Sequence, residues 1–176
     1  MEILGNISIK SYPFAQEVYP QIWIGCNQAS QDKTFMKKAG IEIVVNCTKD
    51  LPFYFEPYFI KEIPDEIKNE YFIKYYRVPC NDNERDEEIK NFISGTKAVL
   101  EELKKESKKN LLINCSAGQQ RSCAFAVCLL WTFFDYTIEN AINQVIKYRK
   151  SAFGYCGFDF GYKINFLEGI KEVCKN

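Results

Sequence analysis

Short β-branched, apolar runs alternate along this chain with longer segments whose apolar residues recur every three or four positions. "VYPQIWIG" (residues 18–25) reads as one strand closed by Gly25, and "IEIVVNC" (41–47) has the β-branched character of a strand inside a sheet. "FIKYYRV" (72–78) and "LLINC" (111–115) read as further strands. Between them, "SQDKTFMKKAG" predicts a short helix with Ser30 as its cap and Gly40 past its end. From Asp86 onward, Ile89, Phe92, Ile93, Thr96, Val99, Leu100 and Leu103 form the buried stripe of an amphipathic surface helix. "RSCAFAVCLLWTFF" is apolar nearly all round, as a central helix must be. Thr137 is placed to cap a helix that buries Ile138, Ala141, Ile142, Val145 and Ile146, and a last helix over 159–173 buries Phe166, Leu167, Ile170 and Val173. Residues 49–70 carry Pro52, Pro57 and Pro64, which predicts an irregular excursion with at most a short helix. Strands alternating with helices give an α/β domain.

A chain of 176 residues is long enough for one well-buried core, so it reads as a single domain over 1–176, with residues 1–17 as an N-terminal extension. The 23 basic residues balance the 23 acidic ones, which removes any overall field that would draw the chain to nucleic acid or a membrane surface. Any anion it binds must be met by a local site. "CAFAVCLLWTFF" is too short to span a bilayer, and "MEILGNISIK" lacks the basic start and apolar stretch of a leader, so the expected location is intracellular, in the cytoplasm. Eight scattered cysteines, mostly inside apolar runs, are expected to be reduced and buried. The chain has no histidine, which excludes a Ser-His-Asp triad, a Cys-His protease and every His-containing zinc site. Without a CxxC pair either, no metal and no cofactor is expected.

The chemistry concentrates in "LLINCSAGQQRSCAF" (111–125), where a strand stops and a helix starts. Such a junction presents unpaired N–H groups reinforced by the helix dipole, and so holds an anion. The residues between Cys115 and Arg121 (Ser116, Ala117, Gly118, Gln119 and Gln120) are small or uncharged, and Gly118 permits the backbone to curl its amides around phosphate oxygens. Arg121, one turn inside the helix, can bind two of those oxygens with its planar fork. A cysteine at the mouth of the same loop is favoured as thiolate, a nucleophile aimed at bound phosphorus. The leaving oxygen then needs a proton. Asp82 in "VPCNDNERDEE", at the exit of a strand, is the candidate donor, with Glu84 and Asp86 as alternatives.

These residues resemble the cysteine-dependent protein phosphatases, whose signature is His-Cys, five residues, Arg, then Ser or Thr, here "NCSAGQQRS". The resemblance is to the dual-specificity, vaccinia-type branch and runs over residues 18–173, with "VPCND" similar to its acid loop and "NFLEGI" to its closing helix. It implies a protein tyrosine phosphatase-like fold, a central mixed sheet of about five strands flanked by helices on both sides. It also implies a phosphocysteine on Cys115, phosphate bound by Arg121 and the amides of residues 116–121, Asp82 as acid and then base, and Ser122 hydrogen-bonding the thiolate so that it leaves. Arg149 and Lys150 fall where some relatives bind a second substrate phosphate, although a solvated helix end fits them as well. Two departures stand out. Asn114 replaces the histidine that orders the loop, which implies slower turnover, and "YCGFDF" lacks the usual Pro-Asn.

The leading expectation is therefore hydrolysis of phosphotyrosine and phosphoserine or phosphothreonine in a phosphorylated protein partner, by a monomer or homodimer. A pseudophosphatase that binds phosphoproteins without turnover is the alternative raised by Asn114. A rhodanese-like sulfur carrier is a third reading, and it leaves Asp82 without a role. Cys47 and Cys123 are the candidate resolving thiols should Cys115 be oxidised reversibly.

Overall fold

In the computed structural model, which describes residues 8–55, 73–154 and 161–176, the apolar runs build a five-stranded sheet. Its strands are β1 (Ala15–Tyr19), β2 (Ile22–Gly25), β3 (Ile43–Asn46), β4 (Lys74–Arg77) and β5 (Leu111–Asn114), in the spatial order β1-β2-β5-β3-β4. The last four are mutually parallel, and β1 runs antiparallel to β2, so the sheet is mixed as expected. The helices among the described residues are α1 (Asn27–Gln31), α2 (Lys33–Lys38), α3 (Asp86–Leu103), α4 (Arg121–Phe134), α5 (Ile138–Tyr148) and α6 (Leu167–Val173).

Alternation along the central strands generates two cores, one on each face. Ile22, Ile24, Ile43, Val45, Leu111 and Ile113 face a large cluster that includes Phe92 of α3, Phe125 of α4, Val145 of α5 and Ile170 of α6. Trp23, Val44 and Leu112 face a smaller one with Phe35 and Met36 of α2. Coverage on both faces explains why β2, β3 and β5 are buried at every position. Helix α4 is buried from Ser122 through Leu130, the consequence of its all-round apolar sequence. Thr137 caps α5 as predicted, its hydroxyl accepting from Asn140 N at 3.1 Å. No helix among the described residues is long and apolar enough to cross a membrane. All seven described cysteines are free and buried.

Several expectations are corrected. Residues 18–25 are not one strand: Pro20 and Gln21 turn the chain between β1 and β2, with Gln21 at φ +71° in place of the glycine that usually signals such a turn. Tyr12 stacks on Phe35 at 4.5 Å, and Tyr12 and Ala15 are both buried, so this part of the supposed extension belongs to the folded core. Ser30 lies inside α1 with its hydroxyl on Asn27 O, and Asp32 caps α2 instead, accepting from Phe35 N at 3.0 Å. The closing helix starts only at Leu167, which is half-buried, while Phe166, Ile170 and Val173 are buried as expected. Pro57, Pro64 and the segment "YCGFDF" lie outside the described residues.

Candidate active site

The carboxyl ends of β2, β3, β4 and β5 open at one end of the sheet, where α/β folds gather their ligands. Residues 115–120 bridge β5 and α4 there. Gly118 holds φ +66°, and a Cβ at that position would lie 2.6 Å from Gly25 O and 2.5 Å from Nη2 of Arg149, so only glycine fits. The carbonyls of residues 116–120 each accept a hydrogen bond from outside the loop. Ser116 O accepts from Asn27 N (2.9 Å), Ala117 O from Arg149 Nη2 (3.2 Å), Gly118 O from Arg149 Nε (2.5 Å), Gln119 O from Phe153 N (2.7 Å) and Gln120 O from Ala124 N (2.8 Å). By contrast, the N–H groups of Ser116, Ala117, Gln119 and Gln120 have no acceptor among the described residues. A loop with its carbonyls tied back and its amides unclaimed is an anion nest.

Cys115 sits at the floor of this nest, 2% exposed. Gly118 N–H donates to its Sγ at 3.2 Å, and Ser122 Oγ lies 3.2 Å away on the first turn of α4. Arg121 Nη1 donates to Cys80 O at 3.1 Å, which fixes the guanidinium between the loop and the strand-β4 exit, while its Nε is buried with no protein partner. That free edge is the part of the fork a tetrahedral anion would engage.

The loop that carries Asp82 follows β4. Glu88 of α3 is buried and accepts from Asn81 N and Lys49 Nζ, both at 2.5 Å, and the backbone donor together with the ammonium holds its carboxyl below the usual glutamate range. Asp82, the next residue, is exposed and accepts from Asn165 Nδ2 at 3.1 Å. Glu84 is paired with Lys163 at 2.7 Å, and Asp86 is an exposed residue of the first turn of α3. Burial pushes the Cys80 thiol up to about 12, with Arg121 opposing and Glu88, Cys115 and Asp82 adding to the rise, so the two loops converge around this residue. Burial likewise raises Cys47, and lifts Cys123 to about 12 despite the nearby Arg149.

The positions left open by the sequence resolve differently. Arg149 is not at a solvated helix end, nor free for a second phosphate: it is 4% exposed and committed to Ala117 O, Gly118 O and Gln16 Oε1. Lys150 is exposed. Asn114 is fully buried, and neither atom of its amide has a hydrogen-bond partner among the described residues. Glu88 and Gln16 were not anticipated. Glu88 is one of three successive acids opening α3, a pattern that helix-dipole stabilisation explains equally well, and Gln16 carries no local signal at all.

The sequence family described as "Dual specificity phosphatase, catalytic domain" matches residues 22–160. The chain belongs to the dual specificity phosphatase family. Among curated dual specificity phosphatases, it is 24% identical over 166 residues to human dual specificity protein phosphatase 6, covering 93% of this chain and 39% of that protein. It is 26% identical over 155 residues to human dual specificity protein phosphatase 16, covering 88% of this chain and 21% of that one. The chain thus spans well under half the length of these relatives. In fold it is similar to human DUSP28 (TM-score 0.68, 18% identity, 92% of this chain and 93% of that one). It is also similar to a mouse putative dual specificity phosphatase complexed with zinc tungstate (TM-score 0.69, 20% identity, 96% and 91%).

Proposed function

We propose that this chain is a cysteine-dependent protein phosphatase that hydrolyses phosphotyrosine and phosphoserine or phosphothreonine through a phosphocysteine intermediate. The observation that carries the reading is the nest at residues 115–121, with carbonyls bound outward, amides unclaimed, the Cys115 sulfur at its floor and the Arg121 Nε free at its rim. Family membership supports it. The Cys115 thiolate attacks phosphorus while Asp82 gives its proton to the leaving oxygen, so one P–O bond breaks as the S–P bond forms. Asp82, now a carboxylate, takes a proton from water, whose oxygen attacks the phosphocysteine. Inorganic phosphate leaves, and Ser122 stabilises the departing thiolate. Because no lysine or arginine lies between Cys115 and Arg121, the loop suits a phosphate monoester on a protein better than a polyphosphorylated ligand. Phosphorylated proteins are accordingly the partners proposed, and the free thiols suit a reducing compartment such as the cytoplasm.

The orphaned amide of Asn114 is the one observation that favours the pseudophosphatase alternative, since it leaves the residue before the nucleophile without a part in ordering the loop. Hydrolysis of para-nitrophenyl phosphate across a pH series by the wild type, Cys115→Ser and Asp82→Asn separates the two. Turnover lost in the serine variant, with a changed pH profile in the asparagine variant, supports the enzyme. A folded wild type that binds vanadate but turns nothing over would leave the binding module standing.

A further inference from the structure

Arg149 is a buried cation with no carboxylate beside it among the described residues. A buried charge is costly unless it is well paired, so its retention calls for a reason. Its hydrogen bonds suggest one. Nε and Nη2 hold the carbonyls of Gly118 and Ala117, the two at the centre of the nest, and Nη1 is steadied by Gln16 Oε1 at 2.5 Å. Gln16 is itself fixed by donating to Tyr12 O at 3.1 Å. Backbone N–H groups of Asn27 and Phe153 bind the carbonyls of Ser116 and Gln119 on either side. The central two have no backbone donor; apart from a long contact of 3.5 Å from Cys123 Sγ to Gly118 O, they depend on Arg149.

In a trans peptide the carbonyl and the following N–H point in opposite directions. Pinning Ala117 O outward therefore turns Gly118 N–H inward, where it meets Cys115 Sγ, and pinning Gly118 O outward does the same for Gln119 N–H. If either peptide flipped, a carbonyl oxygen would face the bound anion. Asn114 does not prevent that, because its amide makes no hydrogen bond among the described residues.

We propose that Arg149 is a positioning residue that holds the phosphate loop in its anion-binding form before substrate arrives and leaves an uncompensated positive charge beneath the bound anion. This rests on reading residues 115–121 as a phosphate loop. The test compares wild type with Arg149→Met, Arg149→Lys and Gln16→Leu. It measures vanadate affinity, the pH at which alkylation of Cys115 by iodoacetamide reaches half its maximum rate, and Tm. Losing the fork should weaken vanadate binding about tenfold, the scale of one charge-assisted hydrogen bond, and move the alkylation profile to higher pH. Arg149→Lys keeps the charge but not the two-pronged grip, so it should hold the alkylation profile near that of wild type while losing part of the vanadate affinity. Gln16→Leu leaves both loop carbonyls bound but removes the brace on Nη1, so it should lower Tm and cost less vanadate affinity than Arg149→Lys. A folded Arg149→Met with unchanged vanadate binding and alkylation would overturn the proposal, as would a Gln16→Leu protein that matches it. Should Arg149→Met not fold, equal vanadate affinity in Arg149→Lys and Gln16→Leu would overturn it as well. A wild type that binds no vanadate brings down the phosphate-loop reading and this inference together, whereas binding that is indifferent to Arg149 sinks only the inference.

Discussion

The loop of Cys115 and the loop that carries Asp82 lie at the same end of the sheet and are held in opposite ways. Around Cys115 the carbonyls are tied, Gly118 is the only residue that fits, and the thiol is buried. Asp82 stands in solvent, its carboxylate accepting one hydrogen bond from the Asn165 amide, while the backbone just before it is clamped through Glu88. The difference matches two chemical demands. An anion nest works by preorganisation, since its dipoles must already point at the charge they stabilise. The role proposed for Asp82, giving and recovering a proton in every cycle, needs access to water. On the proposed mechanism, the rigid part is built into the strand-to-helix junction, and the proton donor is left at the rim.

Substitutions test that division from the largest effect downward. Cys115→Ser should reduce kcat for para-nitrophenyl phosphate by at least about 10⁴-fold, with no burst of phosphoenzyme, while vanadate binding persists because the nest remains. Loss of anion binding along with turnover would mean that the sulfur is part of the nest's frame. Asp82→Asn should cost roughly 10²- to 10³-fold and flatten the alkaline limb of the pH profile, with the greater loss on alkyl phosphates, whose leaving groups need the proton more. An equal loss on aryl and alkyl esters would remove Asp82 from the acid's role and direct attention to Glu84.

Glu88→Gln should act through the anchor instead of the chemistry. The folded protein holds this carboxyl below its ordinary value of 4.5, so its contribution to stability is complete above that pH and fades as the pH falls through the depressed value. The expected Tm deficit of the variant is thus largest near pH 7 and closes on acidification below about 4.5, as thermal melts across pH would record. A deficit independent of pH would mean that packing, not charge, is lost. The smallest effect is expected from Asn114→His. A ring able to hydrogen-bond where the amide does not should raise kcat several-fold with little change in KM, measured under the same conditions. An unchanged or lower kcat would mean that loop order already rests elsewhere, as the bonds of Arg149 imply.

The sequence made the rigid half of the site readable and the rest less so, for physical reasons. Cys115, Gly118, Arg121 and Ser122 lie close together in the chain, and the strand-to-helix junction that uses them is a local event, marked by a change of hydrophobic period. Asp82 follows the strand β4, which the sequence places at "FIKYYRV". The roles of Arg149, Gln16 and Asn165 depend on contacts between distant segments, and nothing in "KYRKSA" distinguishes a buried guanidinium from an exposed one. The hairpin at Pro20 was hidden because Gln21 takes the left-handed conformation without the glycine that would advertise it. Ser30 was overtaken by Asp32, a stronger competitor for the same cap two residues later.

The strand order bears on how the site comes into being during synthesis. β5 lies between β2 and β3, so those earlier strands cannot complete their ladders until residues 111–114 have been made and inserted. The thiol, the nest and the helix behind it are carried on that same late segment. A growing chain can collapse its N-terminal strands and α2 without any of the reactive geometry, which is assembled only when the middle of the sheet is filled. Closing the sheet sets the thiol in place, and the loop around it is completed only when Arg149 and Phe153 arrive to bind its carbonyls, while non-local parallel pairing of this kind belongs to the slower steps of folding.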